Sequence, residues 1–142
     1  MSNDQNKAIV RRFYEAFEAN DQDTLLKLLS PDLVAYSHGA PGPQDRETHL
    51  QGISMWNAAF DNRFTVEEQI AEGGMIATRV TLKVIHSRGD FQGLPPTGKQ
   101  IEAGGMSFER IKDGKIVERR VSSDWLDMMQ RLDLVPLSKP AG

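Results

Sequence analysis

Cysteine is absent from the 142-residue chain, which excludes a disulfide framework, a thiol nucleophile and any Cys-ligated metal, and fits a reducing compartment. No apolar run approaches the ~20 residues of a membrane-spanning helix. The N-terminal MSNDQNKAIVRR is polar and lacks the apolar stretch of a secretory signal. A soluble, cytoplasmic protein with no membrane partner is therefore expected. Excess charge of one sign is also missing. The 17 Lys and Arg against 20 Asp and Glu leave a net charge of -3, and the basic residues form no stripe that would neutralise phosphates. Nucleic acid is not an expected partner. His38, His49 and His86 lie far apart with no i,i+4 pair, so no metal site is expected. LPPTGK lacks the frame of a phosphate loop, and no Ser-centred nucleophile elbow is present.

Apolar residues at 39% and charged residues at 26% are ordinary for a globular chain, and the length suits a single domain, with an ordered core expected over about residues 4–135. Ile9, Val10, Phe13, Tyr14 and Phe17 recur at helical spacing and predict a helix over residues 4–19. A second, short helix is predicted over 21–29, capped by Asp21 or Asp23 and closed by Pro31. Residues 33–37 read as a short strand, HGAPGPQ as a loop, and 46–60 as a third helix carrying Trp56.

After Asp61 the apolar period falls to two. Phe64 to Ile70 and Ile76 to Val84 predict a hairpin about Gly73-Gly74, and residues 100–111 and 115–123 a second about Asp113-Gly114. Between them, SRGDFQGLPPTGK is irregular. Trp125, Met128, Met129 and Leu132 return to helical spacing. The order α-α-β-α followed by about four antiparallel strands predicts an α+β cone, a curved sheet whose helices close one side of a pocket.

Strand alternation places Glu118, Arg120, Ser122 and Asp124 on one face and Val117, Val121 and Trp125 on the other. If the polar row looks into the cone, it aims donors and acceptors at a ligand; if outward, it is a solvated stripe. Asp124 also precedes the last helical segment, where it could serve as an N-cap. Both readings stay open.

The chain resembles the SnoaL-like polyketide cyclases, or ester cyclases, of the NTF2-like superfamily from Asn6 to about Val135. The matching stretches are KAIVRRFYEAFEANDQDTLLKLLSPDLVAYSH, AFDN, GGMIATRVTLKVIHSRGDFQGLPPTGKQI and DGKIVERRVSSDWLDMMQRLDL. The most specific element is His86 followed by FQGLPPTGK. The resemblance implies an NTF2-like cone that closes an aromatic polyketide ring by intramolecular aldol condensation without metal or organic cofactor. It also implies that Asp124 is the acid/base, that Tyr14 of the first helix is in the pocket, and that cones of this type pair as homodimers through the sheet. One departure stands out: Arg120 occupies the position where the family pattern has Trp.

On this reading Asp124 takes the proton next to a carbonyl, and His86 is the first choice of donor to the enolate oxygen. His86 could equally be a satisfied core residue. Arg120 could supply a fixed positive charge, or pair with Glu118 on the same face. Tyr14, Trp56, His38, Ser122 and Glu118 are expected to line the site, although core packing would also account for Tyr14 and Trp56. The expected ligand is a hydrophobic, polyketide-like small molecule. Epoxide hydration or isomerisation in the same pocket, and a non-catalytic ligand-binding or dimerisation module, are the alternatives.

Overall fold

A computed structural model describes residues 2–37 and 40–135; His38, expected at the pocket, lies outside them. The chain runs α1 (Asn3–Glu18), α2 (Gln22–Leu28), β1 (Leu29–Tyr36), α3 (Arg46–Ala59), β2 (Phe60–Glu72), β3 (Met75–His86), β4 (Gln100–Lys112), β5 (Lys115–Ser123) and α4 (Trp125–Arg131). Together these build the expected α+β architecture, a curved, unclosed sheet with helices packed on one side.

Local chemistry sets the helix starts. Ser2 caps α1 in a reciprocal box, its Oγ accepting from the Gln5 amide at 3.1 Å while Gln5 Oε1 accepts from the Ser2 amide at 2.8 Å. Asp21 Oδ1 accepts from the Thr24 amide at 3.2 Å and Asp45 Oδ1 from the Thr48 amide at 2.8 Å, which starts α2 and α3. α2 ends earlier than its leucines suggest, because Leu29 already adopts extended geometry and begins β1. Pro31, the expected stop, is an exposed residue of that strand, where its missing N–H costs little.

The sheet order is β1-β5-β4-β3-β2. Four strands form the expected antiparallel run, and β1 adds a fifth by pairing parallel to β5. Gly73 and Gly74, with φ of 55° and 81°, turn β2 into β3. Asp113 and Gly114, at 52° and 77°, turn β4 into β5.

Alternation along the strands separates two faces. Ile76, Thr78, Val80 and Val84 of β3 and Ile101, Ser107, Glu109 and Ile111 of β4 are buried under the helices. One core cluster joins α1 and α2 to the sheet through Val10, Phe13, Tyr14, Leu25, Leu28 and Ile76. A second, under α4, contains Phe60, Val84, Met128, Met129 and Leu132. Each large side chain removed from water contributes about 1.5–3 kcal/mol. No helix among the described residues is long and apolar enough to cross a membrane.

Candidate active site

Where the two clusters meet, the helices and the sheet leave a cavity of about 420 Å³. Phe17, Ile53, Phe64, Val80, Leu82 and Met128 supply much of its apolar wall. An aromatic group closes one end: the Trp56 ring lies 4.2 Å from Phe60, 5.8 Å from Trp125 and 5.9 Å from Phe91, centroid to centroid. Tyr14, Arg119 and His49 bring polar chemistry to the opposite wall.

That polar wall follows from strand register. Ser107 and Glu109 are two residues apart on β4 and so share the buried face, and Arg119 is the cross-strand partner of Glu109 on β5. α1 lays Tyr14 over them. The Tyr14 hydroxyl lies 2.6 Å from Ser107 Oγ, Ser107 Oγ lies 2.9 Å from Glu109 Oε1, and Arg119 Nη2 donates to the Tyr14 oxygen at 3.4 Å. The guanidinium carbon sits 4.5 Å from the centre of the Phe13 ring, a cation–π contact that holds the cation away from water. Ser107 and Glu109 lie behind the wall formed by Tyr14 and Arg119.

Arg119 Nε and Glu109 Oε2 are 3.2 Å apart, yet neither atom has a hydrogen-bond partner. The pair therefore attracts electrostatically without the alignment of a charge-assisted hydrogen bond. Burial dominates the carboxyl: it pushes Glu109 up to about 7, against the opposing pull of Arg119 and the Ser107 hydrogen bond. Burial likewise raises the Tyr14 phenol above its ordinary value, opposed first by Arg119, so Tyr14 is neutral near pH 7.

His49 is placed by α3. Its Nδ1 is 3.2 Å from Gln44 Oε1, which also accepts from Ser37 Oγ at 2.9 Å. An amide oxygen only accepts, so Nδ1 carries the hydrogen and Nε2, buried without a partner, keeps its lone pair. Burial, then the Arg119 charge, lowers His49 to about 3. The imidazole is neutral.

The sequence-expected residues divide between the cavity and the opposite side of the sheet. Tyr14 and Trp56 line the cavity as expected. The row Glu118, Arg120, Ser122 and Asp124 does not: β5 turns Arg119, Val121 and Ser123 toward the cavity, which puts the alternate residues on the outer face. There Arg120 donates to Glu118 Oε1 at 3.2 Å and lies 4.0 Å from the centre of the Tyr36 ring, and Ser122 is exposed. Asp124 stands at the N-cap position of α4, exposed and with no side-chain capping bond. His86 is fully buried and takes the core role: its Nε2 donates to the Gly89 carbonyl at 2.8 Å, and its ring lies 4.9 Å from Phe60. It holds the loop after β3 and is not part of the cavity wall.

Sequence reasoning missed Ser107, Glu109, Arg119 and His49. A signal existed for two of them. Glu109 shares parity with Ile101 and Ile111, and Arg119 with Val117 and Val121, so each is a charged residue on an apolar face. Among the described residues, no three His, Cys, Asp or Glu side chains gather in an arrangement able to hold a metal ion.

A family model described as SnoaL-like polyketide cyclase matches residues 8–132. The aklanonic acid methyl ester cyclase DnrD of Streptomyces peucetius is 27% identical over 131 residues, covering 87% of this chain and 88% of its own. Among solved structures, IdmH of Streptomyces antibioticus, for which a polyketide cyclase role is proposed, is 33% identical with a TM-score of 0.79, covering 91% of this chain and 99% of its own. AclR of Streptomyces galilaeus, for which a hydroxylase role is proposed, is 27% identical with a TM-score of 0.83, covering 97% of this chain and 87% of its own.

Proposed function

The chain belongs to the SnoaL-like polyketide cyclase family, and from that premise we propose that it performs acid/base chemistry, an intramolecular aldol-type cyclisation, on an apolar polyketide-like carbonyl compound. The observation that carries this reading is a cavity of about 420 Å³ with largely apolar walls, into which Tyr14, Arg119 and His49 bring polar groups. Its volume falls within the roughly 300–1,000 Å³ of small-molecule sites. A ligand with a carbon skeleton and few oxygens would fill the apolar part and direct an oxygen to the Tyr14 and Arg119 donors.

Such a ring closure removes a proton next to one carbonyl and returns a proton to the oxygen of another. The negative charge that develops needs donors already in place, and these are worth most where water is excluded. Tyr14 and Arg119 meet that need: they are 3% and 4% exposed, and one already donates to the other. A phenol held neutral by burial can give a hydrogen bond to an enolate without losing its proton to it. The relative DnrD is an aklanonic acid methyl ester cyclase, which supports a ring closure as the reaction. Asp124 lies outside the cavity wall, so in this proposal the proton taken from carbon goes to the unpartnered Nε2 lone pair of His49 and is returned from there to the new alkoxide.

The test is incubation with polyketide-like 1,3-diketones in deuterated water, followed by mass detection of cyclised product and of the rate, above that without protein, at which deuterium enters the carbon between the carbonyls. Tyr14→Phe should lower turnover by about 10²–10³, the usual cost of one oxyanion donor. Binding without exchange or product would make the cavity a ligand-binding module instead. Full activity in Tyr14→Phe would remove the proposed polar wall.

A further inference from the structure

Behind the cavity wall lies a chain of three oxygens whose direction is not fixed. Ser107 has one hydroxyl hydrogen, and its oxygen is 2.6 Å from the Tyr14 hydroxyl and 2.9 Å from Glu109 Oε1. We propose that Glu109 is a positioning residue that decides, through Ser107, whether Tyr14 presents a hydrogen or a lone pair to a ligand in the cavity. This rests on the reading that the cavity receives a carbonyl compound.

The two directions follow from donor and acceptor counts. An ionised carboxylate only accepts, so the Ser107 hydrogen turns to Glu109 and the Tyr14 hydrogen turns to Ser107. The Tyr14 oxygen then has no hydrogen left for the cavity. When Glu109 carries a proton, that proton belongs on Oε1, because Oε2 faces the Arg119 cation at 3.2 Å. Glu109 then donates to Ser107, Ser107 to Tyr14, and the Tyr14 hydrogen is released toward the cavity. The Tyr14 oxygen in that state accepts from Ser107 and from Arg119 Nη2, which strengthens it as a donor.

The reversal consumes one proton at Glu109 and otherwise only rotates two hydroxyl groups. It matters for the reaction because a carbonyl or enolate oxygen can only accept, whereas the hydroxyl produced by aldol closure can also donate. The protonated chain therefore suits the reactant and the enolate, and the ionised chain suits the product alcohol. The groups that meet Glu109 are few. Arg119 approaches from β5 and Tyr14 from α1, while Ile76, its register partner on β3, is apolar. The Arg119 charge also reaches His49 on α3, whose imidazole stays neutral. The carboxyl changes state near neutrality, where such a switch would be felt.

Tyr14 and Tyr36 are the two tyrosines of the chain, and Tyr36 lies on the outer face against Arg120. In a Tyr36→Phe background labelled with 13C at tyrosine Cζ, the single remaining resonance reports the hydrogen bonding of Tyr14. Between about pH 5 and about pH 9, a range that spans a raised carboxyl titration, it should show one step. Glu109→Gln should abolish the step. Ser107→Ala, which leaves the Glu109–Arg119 pair in place, should shrink it by more than half. A flat response in the parent, or a step surviving in Glu109→Gln, overturns the proposal. Adding 2,4-pentanedione separates this inference from the reading beneath it. If the step is present but the diketone neither perturbs Tyr14 nor exchanges its carbon-bound hydrogen faster than without protein, the relay stands and the carbonyl reading fails. Binding and accelerated exchange without the step would keep the carbonyl reading and remove the relay.

Discussion

Exchanging Glu109 for glutamine keeps the shape of the side chain and removes its ability to ionise, in a position where two effects compete. The buried carboxylate attracts Arg119, and breaking a buried ion pair commonly costs about 3–5 kcal/mol. Desolvation opposes ionisation, and here it is the larger effect, since the carboxyl is raised from 4.5 to about 7 despite the guanidinium. A carboxyl whose folded value is raised contributes stability that is complete below the unfolded value and is lost as pH climbs through the folded one. Over that interval of about 2.5 pH units, at about 1.4 kcal/mol per unit, the parent should lose roughly 3 kcal/mol. Glutamine reproduces the neutral form at every pH: its amide oxygen can face Arg119 while its NH₂ donates to Ser107. The variant should therefore match the parent near pH 4.5 and exceed it by roughly 3 kcal/mol near pH 8. Urea unfolding of both proteins across this range, read as a difference, cancels the titration of every other group, including the exposed caps Asp21 and Asp45, whose carboxyls are lowered by their Thr24 and Thr48 hydrogen bonds. A variant less stable than the parent at the alkaline end would show that the ion pair outweighs burial and refute the reasoning.

Asp124→Asn should leave unfolding within about 0.5 kcal/mol of the parent and retain turnover of a diketone, because the side chain is exposed and makes no capping bond; a strong loss of turnover would return Asp124 to the mechanism. Gly89→Ala should destabilise by about 1–3 kcal/mol, since a Cβ there would lie 2.8 Å from the Ala58 carbonyl oxygen and displace the loop that His86 holds; an unchanged thermal midpoint would contradict this. On the outer face, strand register aligns Tyr36, Arg120, Phe108, Ala77 and Ile70 across all five strands, with Phe108 and Ile70 exposed by 51% and 72%. A second copy would cover that stripe. Light scattering should then give a dimer for the parent and a monomer for Phe108→Glu, and a monomeric parent would remove the expectation.

Hydrophobic spacing was enough to read the elements. The helical repeat of Val10, Phe13 and Phe17, the period of two from Phe64 onward and the turns at Gly73-Gly74 and Asp113-Gly114 depend on neighbours a few residues away, and the structure carries all of them. Tyr14 and Trp56 were legible for the same reason, since an aromatic residue on an apolar stripe must face whatever the helix covers. By itself, then, the sequence determined the class of fold and the presence of a pocket.

Which face of β5 lines that pocket was a different kind of question. A polar row and an apolar row alternate along any half-buried strand, and one residue of register exchanges their destinations. The row with more polar groups, 118 to 124, suggested a site, yet the helices cover the other face. That choice depended on β1 pairing parallel to β5 and on α1 packing over the sheet, contacts between residues roughly 80 to 105 apart in sequence. The same packing brings Tyr14, Ser107, Glu109 and Arg119 together from one helix and two strands. Burial, and with it the Glu109 titration near neutrality, exists only once those elements meet, because desolvation belongs to the assembled environment and not to any local run of residues.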